Sequence, residues 1–514
     1  MTLLRRCLAI ILLVRPVSLR AQLVSEHVDL SVMQKIRDEG LTRSKLDDLA
    51  SYLTDVIGAR LTNSPASRKA NAWAAETFRS WGLSNVKEEP WDSAFGRGWE
   101  IVSYSGRILD PWPKPLAAYP QAWSGSTLVK GKPATITCPA IVLDVKDSTD
   151  LAKYTGKLRG ACVLRGAPRV IAPEFTPAET RQTLDELINY QPPQRAAGPA
   201  GPAGPNNFAA AQQLNAAITR LIHSEQPAAV LQGSNWTYGM FLNGGHFDGR
   251  TARDSIYNPI PHLIVAHEQY GTLYRVAQRG LPVRLELNLQ TRFLDDNRFP
   301  TNVTAEIPGT DKAGEVVMLG AHYDSWHSGT GATDNGAGSV VMMEAIRILK
   351  TLALPMRRTV RIGLWTGEEE GLIGSRTWIR IHKNELQNIS AYVNVDNGTG
   401  KLRGIWDQSN SAAIPIFQQI LAPFQDLGVV TVRHGNTGGT DHLSFVAGGV
   451  PGFNFIQDPI EYGTRTHHSN VDTYERLVID DLKQAATVVA WTVYELANRD
   501  EMMPRPPAPR PATP

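Results

Sequence analysis

Between Val303 and Asp472, short apolar runs alternate with helical patterns, and one run after another ends on a side chain able to bind a metal. Val316 to Gly320 precedes a helical stretch from Ala337 to Leu352, Thr359 to Trp365 precedes another from Ser375 to Leu386, and Ala391 to Val395 follows. Strand-length apolar runs separated by segments of helical period predict an α/β layered sheet. In such sheets the loops beyond the carboxyl ends of the strands open into one crevice, so their side chains decide the chemistry.

Those loops are rich in His, Asp and Glu. The first run leads to His322-Tyr-Asp324-Ser and then to Gly329-Thr-Gly-Ala-Thr-Asp334-Asn-Gly-Ala-Gly338. The second leads to Trp365-Thr-Gly-Glu368-Glu369-Glu370-Gly371, the third to Asp396, and a fourth, Phe453 to Ile456, to Thr466-His467-His468-Ser469-Asn470-Val471-Asp472. Taken singly, such residues are more often helix caps, solvated charges or structural histidines. Together at one sheet end, uncompensated carboxylates would cost several kcal/mol unless metal or protons neutralised them. Neutral imidazole and carboxylate are the ligands of hydrolytic zinc, and a bridging carboxylate, here Asp334, holds two ions roughly 3.5–4 Å apart.

The segments HYDS at His322, GATDNGAG around Asp334, WTGEEEG around Glu368, VDNG at Asp396 and HHSNVD at His467 resemble metallopeptidase family 28, most closely its carboxypeptidase Q-like branch, in order and approximate spacing. The resemblance implies a three-layer zinc-peptidase fold, with a central mixed sheet flanked by helices. It implies that His322 and Asp396 hold one zinc, Glu369 and His468 the other, and Asp334 both, with Glu368 as general base. A carboxylate in that place takes a proton from the attacking water and passes it to the leaving amine. It also implies a cis Asp334-Asn335 peptide bond.

Related aminopeptidases carry a tyrosine just before the last His ligand, where it supports the oxyanion; here that place is His467. An imidazole N–H is the candidate replacement, and His467 also competes as a ligand. His468 fits the family pattern better, because Ser469 and Asp472 follow it at the expected places. Asp324 and Asp472 are candidates for orienting the imidazoles from behind.

The rest of the chain sets context. Arg5, Arg6, the apolar Cys7 to Val14 and Ala21 read as a signal peptide over residues 1–21, which predicts a secreted or periplasmic protein with no stable membrane span. Cys138 and Cys162 then remain as an even pair in an oxidising compartment, with a disulfide between them one of two open readings. Two helices are expected from Asp29 to Trp81, broken by a turn at Thr62 to Ala66. Residues 22–111 and 288–502 are expected to form one catalytic domain. Residues 112–287 form an inserted β-rich domain that resembles the protease-associated domain, with a Pro/Gly/Ala-rich surface loop at 192–207. Residues 503–514 read as a Pro-rich disordered tail.

A net charge of +2, from 52 basic and 50 acidic residues, provides no field for nucleic acid. The partner expected is a short peptide or dipeptide, and a homodimer is compatible with the sequence. The absence of a G-x-S-x-G elbow argues against a serine hydrolase. The function expected is therefore a secreted two-zinc exopeptidase: an aminopeptidase, dipeptidase or carboxypeptidase. Two alternatives keep the fold: an inactive receptor-like or scaffolding relative, and a single-zinc glutaminyl cyclase.

Overall fold

Neighbouring strands in the central part of the first sheet run parallel because the connections between them are long enough to hold helices. A computed structural model describes Glu26, residues 28–190 and residues 205–505, and among these the strands form two eight-stranded sheets and one small hairpin. The first sheet has the order Ser84–Pro90, Thr301–Ile307, Arg358–Trp365, Lys312–His322, Ile389–Asn394, Gly452–Gln457, Leu402–Trp406, Thr431–Arg433. From Arg358–Trp365 to Gly452–Gln457 neighbours are parallel, and antiparallel pairings flank them on both sides. His322 lies level with Trp365, and Gly320 with Asn394, so the loops that follow leave the sheet along one edge.

Continuous apolar stretches such as Val316–Ala321 are buried, as parallel strands covered on both faces require. One face is covered by the helices Ala337–Thr351 and Ile479–Asn498, packed with Ile36, Leu46 and Phe78 in the largest core. The other face carries Trp365, Trp378, Tyr392 and Phe445, from strands and from the helices Ile373–Ile381 and His442–Ala447. This is the expected three-layer arrangement with a central mixed sheet. Gly363 is fitted to this second core, since a Cβ there would lie 2.3 Å from the Trp365 ring.

Before the first sheet the chain forms three helical segments rather than two: Leu30–Thr42, Leu46–Ser51 running on to Ile57, and Pro65–Ser80. Lys45 separates the first two, and the break at Thr62 to Ala66 is a helix start, with Ser64 capping the amide of Ser67 and Pro65 in the first turn.

The second sheet has the order Lys114–Pro115, Gly98–Asp110, Arg284–Leu294, Ile136–Leu143, Cys162–Arg165, Ala229–Gly233, His262–Val265, Ala118–Pro120. Its core includes Cys138, Leu164, Leu231, Leu263, Tyr270 and Leu285. A long antiparallel ladder from Gly98↔Leu294 to Asp110↔Arg284 carries the chain out of the first sheet and back. The sheet therefore extends beyond 112–287 at both ends. Cys138 and Cys162, on neighbouring parallel strands, form a disulfide with Cα atoms 5.6 Å apart.

Residues 1–21 lie outside the described residues, as do 192–204 of the Pro/Gly/Ala-rich stretch; residues 205–207 begin the helix Pro205–Glu225. Of the expected tail, 506–514 also lie outside, whereas Met503 is buried and Arg505 donates to the carbonyls of Leu386, Gln387 and Ile389. Among the described residues no helix is long and apolar enough to cross a membrane.

Candidate metal centre

The polar residues come from the carboxyl ends of the parallel strands: Glu368, Glu369 and Asp396 within a few residues of a strand end, and Asp334, His467 and His468 from the longer loops that follow. His322 closes its strand and is buried; Ser339 donates to its carbonyl at 2.7 Å, tying it to the helix behind. Its Nδ1 faces the carbonyl of Asp324, an acceptor, at 3.2 Å, so a proton on Nδ1 is held there and Nε2 is the nitrogen turned towards the carboxylates. Nε2 lies 3.3 Å from Asp334 Oδ1 and 3.4 Å from Asp396 Oδ1.

On the other side of Asp334, His468 Nε2 lies 3.3 Å from Asp334 Oδ2 and 2.9 Å from Glu369 Oε2. His467 Nε2 lies 3.7 Å from the same Asp334 oxygen, and its side chain is 42% exposed against 28% for His468. The seven residues singled out in the sequence are thus brought together: Asp334, Glu368, Glu369, Asp396, His467 and His468 line one cleft of about 600 Å³, and His322 closes it from beneath. The Asp334-Asn335 peptide bond is cis.

The donor set fits zinc. Asp334 Oδ2, Glu369 Oε1 and Asp396 Oδ1 are buried and accept no hydrogen bond. His322, Asp334 and Asp396 form one group whose ligand atoms lie within 4.8 Å of one another, and Asp334, His467 and His468 form a second, sharing Asp334. Tetrahedral zinc with bonds of about 2.0–2.2 Å separates its ligand atoms by about 3.3–3.6 Å, close to the spacings around His322 and Asp334.

The electrostatics agree with a cation. Burial, with Asp396, Asp441 and Glu369 nearby, pushes Glu368 up to about 11, although His322 opposes this. Burial and Asp334 raise Glu369 in the same way. Burial holds His467 and His468 below the usual imidazole range, in the neutral form that binds metal.

Supporting residues lock these loops. The Asp324 carboxylate accepts from the amides of Glu368 (3.2 Å) and Glu369 (3.3 Å) and from Thr62 Oγ1 (3.0 Å). Asp472 accepts from the amides of Thr333 (2.6 Å) and Asp334 (3.1 Å). Both therefore hold ligand-bearing backbone, a use that sequence spacing alone does not reveal. Sequence reasoning missed Arg60, fully buried, whose guanidinium donates to the carbonyls of Tyr323, Gly58, Thr330 and Gly331 at 2.8–3.0 Å. It also missed Asp441, which burial raises to about 7, and Tyr462, which lines the cleft beside His467. No motif marks any of the three. A loop between the second-sheet strands Ala229–Gly233 and His262–Val265 reaches the centre too: Asn243 N donates to the His468 carbonyl at 2.9 Å, Phe241 N donates to Asn470 Oδ1 at 2.8 Å, and Leu242 bridges Ser469.

The profile described as Peptidase family M28 matches residues 302–493. Human carboxypeptidase Q is 32% identical over 468 residues, covering 91% of this chain and 88% of that protein. A peptidase M28 precursor from Shewanella amazonensis superposes with a TM-score of 0.66 at 23% identity, covering 93% of this chain and 99% of that one. A zinc aminopeptidase from Bacillus subtilis superposes with a TM-score of 0.57 at 18% identity, covering 89% and 95%.

Proposed function

This chain belongs to peptidase family M28 and is a peptide hydrolase, and on that premise we propose that it is a secreted or periplasmic exopeptidase built for two zinc ions. The observation that carries the reading is that Asp334 is shared by two sets of ligand atoms, with His322 and Asp396 on one side and the histidine pair on the other, where His468 Nε2 lies 2.9 Å from Glu369 Oε2. His322 and Asp396 would hold one ion, Glu369 and His468 the other, and Asp334 both. Zinc bound there supplies Lewis acidity, polarising the scissile carbonyl and making water a nucleophile near neutral pH.

The remaining work falls to the chain's own residues. Glu368, in the cleft between the ligands, takes a proton from water and returns it to the leaving amine. His467, half exposed on the same cleft, donates an imidazole N–H toward the developing oxyanion. Asp324 and Asp472 hold the loops of Glu368, Glu369 and Asp334 in register, so little reorganisation accompanies reaction. The disulfide supports export, since such bonds persist in oxidising compartments. We assign residues 22–111 and 288–502 to the catalytic domain and 112–287 to an inserted, protease-associated-like domain, with the ladder of Gly98–Asp110 and Arg284–Leu294 straddling both boundaries.

Metal analysis with a panel of dipeptides and aminoacyl anilides tests this reading. We expect about two zinc per chain, and Glu368→Ala to keep both while losing 10²- to 10⁴-fold in turnover. Equal activity in the two proteins removes Glu368 from the mechanism, and a zinc-loaded protein that cleaves none of the panel refutes the exopeptidase.

A further inference from the structure

The cleft that holds the four acidic residues Asp334, Glu368, Glu369 and Asp396 is lined, among the described residues, by a single cationic side chain of the Lys or Arg type, Arg376. Arg376 sits in the helix Ile373–Ile381, which starts immediately after the Glu368-Glu369 loop. Its amide donates to the Leu372 carbonyl at 3.1 Å, so Leu372 and Arg376 stand one turn apart, and both line the cleft. Gly374, Ser375, Thr377 and Trp378 turn into the protein, leaving Arg376 exposed on the open side.

What sets Arg376 apart is that its guanidinium is uncommitted. Arg380, one turn on, is bound to Asp92, and Arg361 nearby in the sheet is bound to Glu306 and Glu385. The Arg376 side chain has neither a hydrogen bond nor an ion pair among the described residues, although four carboxylates line the same cleft. Those carboxylates are directed at the metal centre, so the guanidinium is left for a ligand. Its planar fork of N–H donors matches a carboxylate in two-pronged fashion. A peptide advances at most about 3.3–3.6 Å per residue. A carboxylate one or two residues from the reacting carbonyl therefore lies within about 7 Å of it along the backbone.

Resting on the peptidase reading above, we infer that Arg376 binds a carboxylate carried by the peptide substrate close to the scissile bond and so determines which peptides are preferred. The carboxylate is either the terminal one or that of an Asp or Glu side chain, and the two are separable by experiment. Three substrates suffice for the zinc-loaded protein: Ala-Ala, with a terminal carboxylate; Ala-Glu-amide, with only a side-chain carboxylate; and Ala-Ala-amide, with none.

The wild type is expected to show kcat/KM about tenfold or more higher for one of the two carboxylate substrates than for Ala-Ala-amide, mainly through KM. Preference for Ala-Ala identifies the terminal group, and preference for Ala-Glu-amide the side chain. In Arg376→Gln that ratio should fall to within about twofold of unity, while Arg376→Lys, which keeps charge without the fork, should retain part of it. A wild-type ratio near one, or a ratio unchanged in Arg376→Gln, overturns the assignment of Arg376 and leaves the peptidase reading standing. Failure to cleave any of the three with two zinc bound overturns both.

Discussion

Arg60→Met removes a buried cation that ties the metal-bearing loops to the segment after the first helices. The guanidinium is fully buried and makes four hydrogen bonds to main-chain carbonyls: Tyr323 just after His322, Thr330 and Gly331 ahead of Asp334, and Gly58 in its own loop. Hydrogen bonds from a charged donor contribute about 1.5–3 kcal/mol each, roughly 6–12 kcal/mol in all before the desolvation of the charge is set against them. That desolvation removes several kcal/mol, and it is felt here, since burial lowers the Arg60 pKa although Tyr323 and the carboxylates of Asp472, Asp324 and Asp334 favour the cation. Methionine fills a similar volume but leaves four carbonyls unmatched, so a net loss of about 3–5 kcal/mol is expected, comparable to breaking a buried charge pair. In a chain of 514 residues, with an unfolding entropy of about 1 kcal/mol/K, that lowers Tm by roughly 3–5 °C in calorimetry of the zinc-loaded protein. The loops lose their tie as well, so zinc affinity should fall about 10- to 100-fold in a competition titration with a chelating dye. Arg60→Lys should lie between. A Tm drop below about 1 °C with zinc affinity intact would refute the reasoning, because it would mean the carbonyls find water or one another at little cost.

Further consequences follow from the same structure. His468→Ala should lose about one zinc per chain, whereas His467→Ala should keep both and lose about 10²- to 10³-fold in kcat; the reverse outcome, read by metal analysis, would exchange their roles. Removing the bond between Cys138 and Cys162, which are 24 residues apart, should cost about 3 kcal/mol in urea unfolding without reductant; a loss below 1 kcal/mol would mean the neighbouring strands hold that loop closed unaided. His382 bonds Glu89 at 2.7 Å and Glu385 at 3.0 Å. Burial disfavours its charge, but the two carboxylates outweigh burial and raise its pKa above 6.5. Burial likewise opposes ionised Glu89, yet His382 and Thr304 hold it below 4.5. Stabilisation from His382 is complete below about pH 6.5 and is lost as pH climbs through its raised value. That from Glu89 is present above about pH 4.5 and is lost as pH falls. The stability gap between wild type and His382→Gln should therefore be widest between these limits and narrow towards pH 9; a gap that does not change with pH contradicts the assignment.

The centre was legible because ligand chemistry sits where strand chemistry ends. His322, Glu368, Glu369 and Asp396 each follow an apolar run by no more than a few residues, and the Gly-rich stretch around Asp334 marks itself by composition. The strands behind them were legible for the same reason, being buried on both faces. What escaped depends on partners distant in sequence. Arg60 meets Tyr323 across 263 residues and Gly331 across 271, and nothing local to Gly58-Ala-Arg60 announces those carbonyls. Ala229–Gly233 and His262–Val265 are five and four residues long, too short for a periodicity to emerge. The segment from Leu30 to Ile57 was read as one helix because Lys45 breaks it without glycine or proline.

The bridge between Leu242 and Ser469, with the amide of Asn243 on the His468 carbonyl, makes the outer sheet a splint for the histidine loop. Splicing Asp110 directly to Arg284 would keep the ladder's outer end together, yet it would strip that loop of its brace. The minimal hydrolase within this chain is therefore larger than the stretch that carries its ligands. Insertions or deletions near Phe241 to Asn243 would be felt where His468 stands.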